Sequence, residues 1–241
     1  MTEAAVHRSL PPRASSGPAE TRRALLAAAG AVFAERGFRE ATVRDICDRA
    51  GANVAAVNYH FGDKERLYLE VLRQAMAEMN ARYPFDGGLP RGAPAEVRLH
   101  AFVHSLLSRL FDNGEHAWLG RLMAREMIDP SNALEVMMTD RIRPMAEHLG
   151  EIIRELLPAA VDEDTVWLTG FSIVSQCLFY NHCRSVVSRL RTDLPLDHSA
   201  VERLADHITS LSLRGIRGLA KTPLSRRVSR TKPFGAVARR R

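Results

Sequence analysis

The chain has 241 residues, 46% hydrophobic and 26% charged, which is enough to bury a sizeable core and ordinary for a globular protein. Collagen-like, fully disordered and disulfide-scaffold classes are thereby excluded. The net charge of +6 is uneven: residues 221–241 hold eight Lys and Arg and no acid, the stretch 19–220 is mildly acidic, and the basic excess by itself points only weakly to nucleic acid.

Residues 1–18, rich in Pro, Ser and Ala, read as a disordered arm, and residues 221–241 as a basic disordered tail. Between them every segment has helical period and none alternates like a strand. The spacing predicts helices over 19–36, 43–50, 54–60, 64–82, 94–111 and 116–128. A short helix after Ser131 follows, then 141–157, 163–190 and 199–220. The chain is therefore expected to be all-α. A small N-terminal domain over 19–65 would precede a larger helical domain over 66–220.

The first three helices are short and closely spaced. Thr42 can cap the second, with Asp45 three residues on as a short-armed capping box. Gly51 suits a left-handed stop and Asn53 an N-cap for the third. Two short helices joined by such a turn form a helix-turn-helix pattern. Ala55 and Ala56 keep the third helix slim enough for a major groove. Asn58 can pair with an adenine edge, and Tyr59, His60 and Lys64 can reach phosphates. A small helical subdomain without any ligand gives the same period.

The run from Thr21 to Leu72 resembles the DNA-binding domain of the TetR family of bacterial transcription regulators. Phe33, Gly37, Thr42, Val43, Ile46, Ala50, Gly51, Tyr59-His60-Phe61, Lys64 and Leu67 carry the resemblance in order and spacing. Asn58 departs from it, since many members have Tyr there. The resemblance implies that Thr42 and Arg44 face the DNA backbone. Asn53, Ala55, Ala56 and Asn58 would face bases, and Tyr59, His60 and Lys64 would clamp phosphates.

In the second half, RLMAREMIDPSNAL followed by IRPMAEHLGEIIREL is similar to the CecR-type subgroup. In the helix over 163–190, Trp167, Phe171, Val174 and Leu178 form one stripe. Leu168, Ser175, Phe179 and Val186 form another. A helix apolar most of the way round must be covered on more than one side. With Leu204, Ile208 and Leu211 of the last helix it reads as half of an intermolecular four-helix bundle, or as a central core helix of one monomer. The resemblance implies a homodimer interface there and a pocket for a small-molecule effector in the preceding helices. Met123, Met127 and Met145, with Met137 and Met138, suit its lining. Arg121 and Arg125 could bind an anion, or pair with nearby acids. His100 and His104, placed with that pocket, have Glu96 one turn earlier and could hold a metal or simply edge a wet helix face; no metal and no cofactor is assigned.

No Gly-rich phosphate loop, HExxH, GxSxG or paired metal carboxylates stand in the chain, so it is not read as an enzyme. A helical enzyme and an adaptor without DNA binding remain the alternatives. The longest apolar run, 24–34, is short of the ~20 residues that a membrane span needs. Together with three cysteines at no redox spacing and the lack of a signal-peptide pattern, this predicts a cytoplasmic protein without membrane contact.

Overall fold

The structure, a computed structural model, describes residues 17–114, 118–159 and 161–221. Of the expected arm and tail, only Gly17, Pro18 and Lys221 are among them; the rest lies outside the described residues. The described residues are helical, with no strand. They divide into two compact units, one ending at Val71 and one beginning at Leu72.

In the N-terminal unit, α1 spans Pro18–Glu40, α2 Val43–Ala50 and α3 Val54–Phe61, and α4 (Lys64–Arg82) begins. Helix α1 buries Leu25, Ala29, Val32 and Phe33 on one stripe, as the period predicts. It breaks at Gly37, where φ is 78° and ψ is 172°, a backbone state that only glycine adopts cheaply. Ile46, Val57 and Leu67 bring the other three helices onto that stripe, all fully buried. Tyr68 packs edge-on against Phe33 with ring centres 4.6 Å apart.

The C-terminal unit holds the rest of α4, then α5 (Ala95–Leu110), α6 (Trp118–Ile128) and α7 (Ala133–Met137). A π-helical turn, Met138–Ile142, leads into α8 (Arg143–Leu156). Then come α9 (Glu163–His182), α10 (Arg184–Leu190) and, after a short 3-10 turn, α11 (Val201–Lys221). Its core is built on α5: Leu99, Phe102, Val103 and Leu107 meet Leu149, Ile152 and Ile153 of α8, Ile173 and Cys177 of α9, and Leu204, Ala205 and Ile208 of α11.

Two elements differ from the sequence expectation. The helix expected over 163–190 is interrupted at Cys183, beside Asn181, whose side-chain amide donates to the Leu110 carbonyl at 2.7 Å. That hydrogen bond is tertiary and leaves no Gly or Pro signature. The segment over 138–142 is wound as a π turn, which the apolar period does not distinguish from an α-helix.

Candidate functional site

Helix α2 begins with a reciprocal cap. Thr42 Oγ1 accepts from the Asp45 amide at 3.1 Å, and Asp45 Oδ2 accepts from the Thr42 amide at 3.1 Å. The Thr42 hydroxyl, first, and the nearby Arg36 hold the Asp45 carboxyl below its usual range. Gly51 ends the helix with φ 66° and ψ 28°, and Asn53 Oδ1 accepts from the Ala56 amide at 2.8 Å to start α3. These caps fix a helix too short to stand on propensity alone.

Helix α3 buries only Val57 and Phe61 and presents its other face outward. Asn53, Ala55 and Asn58 are exposed, Ala56 and His60 half-buried, and Tyr59 is 78% exposed, leaning edge-on against His60 at 4.9 Å. Thr42 and Arg44 are exposed on α2. An exposed tyrosine and asparagine beside alanines, on a helix anchored by two residues, form a slim polar-tipped surface.

Lys64 has an internal task as well. Its Nζ donates to the carbonyls of Phe38 and Ala41, at 2.9 and 3.0 Å, and lies 4.5 Å from the centre of the Phe38 ring. Those carbonyls belong to the segment that Gly37 detaches from α1, so Lys64 ties the end of α1 to the start of α4.

In the C-terminal unit, a cavity of about 250 Å³ lies among α5, α6, α8 and α9. Met123, Met127 and Met145 line it, as do Trp167, Phe171, Val174 and Leu178. Two arginines that the sequence reading did not single out also line it: Arg109 from α5 and Arg141 from the π turn. Each is only 7% exposed.

Several assignments made from sequence are corrected here. Trp167, Phe171, Val174 and Leu178 line the cavity, Trp167 and Phe171 staying 41% and 60% exposed, and Leu168, Phe179 and Leu211 stand exposed without lining it. Leu204 and Ile208 are buried in this chain's own core against α5, so they cannot also meet a partner. Arg121 and Arg125 are exposed and do not line the cavity. Nor do His100 and His104: they face α11, with His100 Nε2 3.1 Å from Asp206 and His104 Nε2 3.3 Å from Glu202. Glu96 pairs with Arg217 at 3.6 Å instead of joining them.

Among the described residues no helix is long and apolar enough to cross a membrane. Cys47 and Cys177 are buried and Cys183 half-buried, all as thiols, and burial pushes the Cys177 thiol up to about 12.

Comparison with known proteins falls on the same two units. Residues 25–71 match the bacterial regulatory proteins of the tetR family, and residues 95–216 match the C-terminal domain of the HTH-type transcriptional dual regulator CecR. The chain is 28% identical over 174 residues to CecR of Shigella flexneri, covering 67% of this chain and 75% of that one. It is 27% identical over 210 residues to the transcriptional repressor NicS of Pseudomonas putida, covering 83% and 93%. Identity to the repressor KstR2 of Mycolicibacterium smegmatis reaches 42%, but over 72 residues, 30% of this chain and 35% of that one. The fold is similar to that of AibR, solved in complex with isovaleryl coenzyme A and operator DNA. The TM-score is 0.58 at 17% identity, covering 79% of this chain and 97% of that one. Since the matched regions contain both the capped helix-turn-helix and the cavity-bearing helices, the chain belongs to the TetR family of DNA-binding transcription regulators, with a C-terminal domain of the CecR type.

Proposed function

We propose that the chain represses transcription by binding a palindromic operator as a homodimer, and that a small molecule in the C-terminal cavity releases it. The observation that carries the reading is the outer face of α3. Val57 and Phe61 anchor it, and Asn58 and Tyr59 are left to meet base edges and phosphates. Lys64, with one ammonium proton beyond its two carbonyl bonds, serves the phosphate backbone from its tether.

The partner surface in this reading is the open face of α9 and α11. Leu168 is 64% exposed, Phe179 51% and Leu211 53%, while Ile173 and Cys177 hold the opposite side of α9 in the core. Apolar side chains of that size on two long helices suit a second copy of the same face, since a two-fold interface is self-complementary. The effector reading rests on the cavity and its flexible methionines. The ligand acts by binding one spacing of the paired reading helices more tightly than another. A hundredfold preference corresponds to about 2.7 kcal/mol.

The test is a titration of the purified protein against a labelled duplex from its own upstream region and against a scrambled duplex, over a salt series. Tight, sequence-dependent binding with dimer stoichiometry supports the reading. Equal binding to both duplexes contradicts sequence-specific recognition, and no binding to either supports a helical adaptor.

A further inference from the structure

Among the described residues the C-terminal unit buries Arg98, Arg109 and Arg141, and their partners differ. Arg98 meets a carboxylate: its Nη1 lies 2.7 and 2.9 Å from the two oxygens of Glu155. Arg109 meets only neutral acceptors, the Asn80 side-chain oxygen at 2.8 Å and the Tyr83 carbonyl from Nε at 2.9 Å and also from Nη2. Arg141 Nη1 is buried with no hydrogen-bond partner at all, and no ion pair joins either Arg109 or Arg141 to a described carboxylate.

The two unneutralised guanidiniums come together at the cavity. Both sit against the Phe85 ring, Arg109 with its guanidinium carbon 3.6 Å from the ring centre and Arg141 at 5.6 Å. Burial, reinforced for Arg109 by the charge of Arg141, draws Arg109 down to about 9; burial alone draws Arg141 to about 10. Both therefore remain cations at neutral pH. The ring face offsets part of the cost of desolvation, but it supplies no anion. The backbone at Arg141 is also irregular, since the residue is carried by the π turn, an arrangement frequent where a helix must deliver a functional side chain.

Around these cations the cavity is apolar. Met123, Met145, Trp167 and Phe171 are among its walls. Glu147 lines it too but is exposed and pairs with neither arginine; Arg154 is paired with Glu163 at 2.7 Å. Its volume of about 250 Å³ lies just below the ~300–1,000 Å³ of ordinary small-molecule pockets, too little for a nucleotide-bearing ligand to enter whole.

We propose that this cavity binds a small hydrophobic carboxylate, its apolar body against the methionines and aromatics and its carboxylate on Arg141, with Arg109 as a second positive pole. The guanidinium fork matches a carboxylate in two parallel hydrogen bonds, which an alcohol or an amine cannot reproduce. The proposal rests on the effector-site reading above and names the chemistry of the effector.

Trp167, in the cavity wall, reports on occupancy through its fluorescence. The full-length protein is titrated with octanoate, 1-octanol, octylamine and octanoyl coenzyme A, which share a chain length and differ at the head. Octanoate is expected to bind at least about tenfold more tightly than octanol or the thioester, and octylamine least. Arg141→Met is expected to retain octanol binding and lose the preference for octanoate. Arg141→Lys, which keeps the charge without the fork, is expected to retain part of it. Equal affinity of the wild type for octanoate and octanol overturns the proposal. So does tighter binding of the amine or the thioester, a preference that survives in Arg141→Met, or no response to octanoate at millimolar concentration. Operator affinity measured alongside separates the two claims. Octanoate that binds through Arg141 and leaves operator affinity unchanged establishes the carboxylate site and contradicts its role as the effector site.

Discussion

The two units solve opposite problems with helices. In the N-terminal unit the ionic and polar groups of the turns are matched close by. Thr42 and Asp45 cap each other, Asn53 caps α3, and Arg36 pairs with Asp45 at 2.8 Å and Arg49 with Glu35 at 2.7 Å. The side chains it leaves unmatched, Asn58 and Tyr59 above all, are outside on a short rigid element. In the C-terminal unit unmatched groups are inside, and the charged one among them, Arg141, lies against an apolar cavity. A surface that reads a large polar partner must be stiff and complete before contact. A cavity that takes a small ligand is instead built with the complementary charge missing.

The largest expected effect tests how tightly the first unit is specified. Phe33 is fully buried between Phe38 and Tyr68, and Phe33→Ala should destabilise by about 3–5 kcal/mol. Operator binding should be lost while the Trp167 fluorescence response to ligand persists. Loss of both would mean that the units fold as one. The next tests the open face of α9. Phe179→Glu places an unpaired charge in the proposed seam, at several kcal/mol, and should weaken dimerisation by at least about a hundredfold in sedimentation equilibrium. Val166→Ala, at a buried position of the cavity wall on the same helix, should leave the dimer intact. A dimer unaffected by Phe179→Glu would place the interface elsewhere.

A smaller effect separates the internal task of Lys64 from its proposed phosphate contact. Lys64→Met leaves the Phe38 and Ala41 carbonyls without their donor and should lower the stability of the DNA-free protein by about 1–2 kcal/mol. An unchanged thermal midpoint would assign Lys64 to phosphate contact alone. The smallest concerns pH. Burial, first, and the charge of Arg98 pull His148 below its usual 6.5, and its Nε2 has no hydrogen-bond partner. The unfolded chain therefore takes up a proton that the folded one resists, and stability should fall as pH drops through 6.5. His148→Leu should flatten that slope; an equal slope in the variant would place the acid sensitivity on another group.

Much of the N-terminal unit was legible in the sequence because its signals are local. Thr42 and Asp45, Gly51, and Asn53 act within four residues of themselves, so spacing alone predicts where α2 and α3 begin and end. The C-terminal site was less legible. Arg121 and Arg125, at helical spacing, attracted attention, but that spacing places them in solvent. Arg109 continues the stripe of Phe102 and Leu106, an arginine on the apolar face of α5, and that was the available clue. Nothing local marks Arg141, because its burial follows from a π turn and from Phe85, which reaches it from a distant loop. The double stripe of α9 was visible, but not that Trp167 and Phe171 would line the cavity while staying exposed beside Leu168 and Phe179, since that depends on where α6 and α8 pack.

The most direct test of the regulator reading is selection of bound sequences from a random duplex pool by the wild type and by Asn58→Ala, at fixed salt. The wild type is expected to enrich a palindrome. Asn58→Ala is expected to relax or shift one base position in each half-site, at about 1–3 kcal/mol per half-site, with the rest of the motif kept. Enrichment of no palindrome, or an identical motif and affinity for Asn58→Ala, would contradict the placement of α3 as the reading helix.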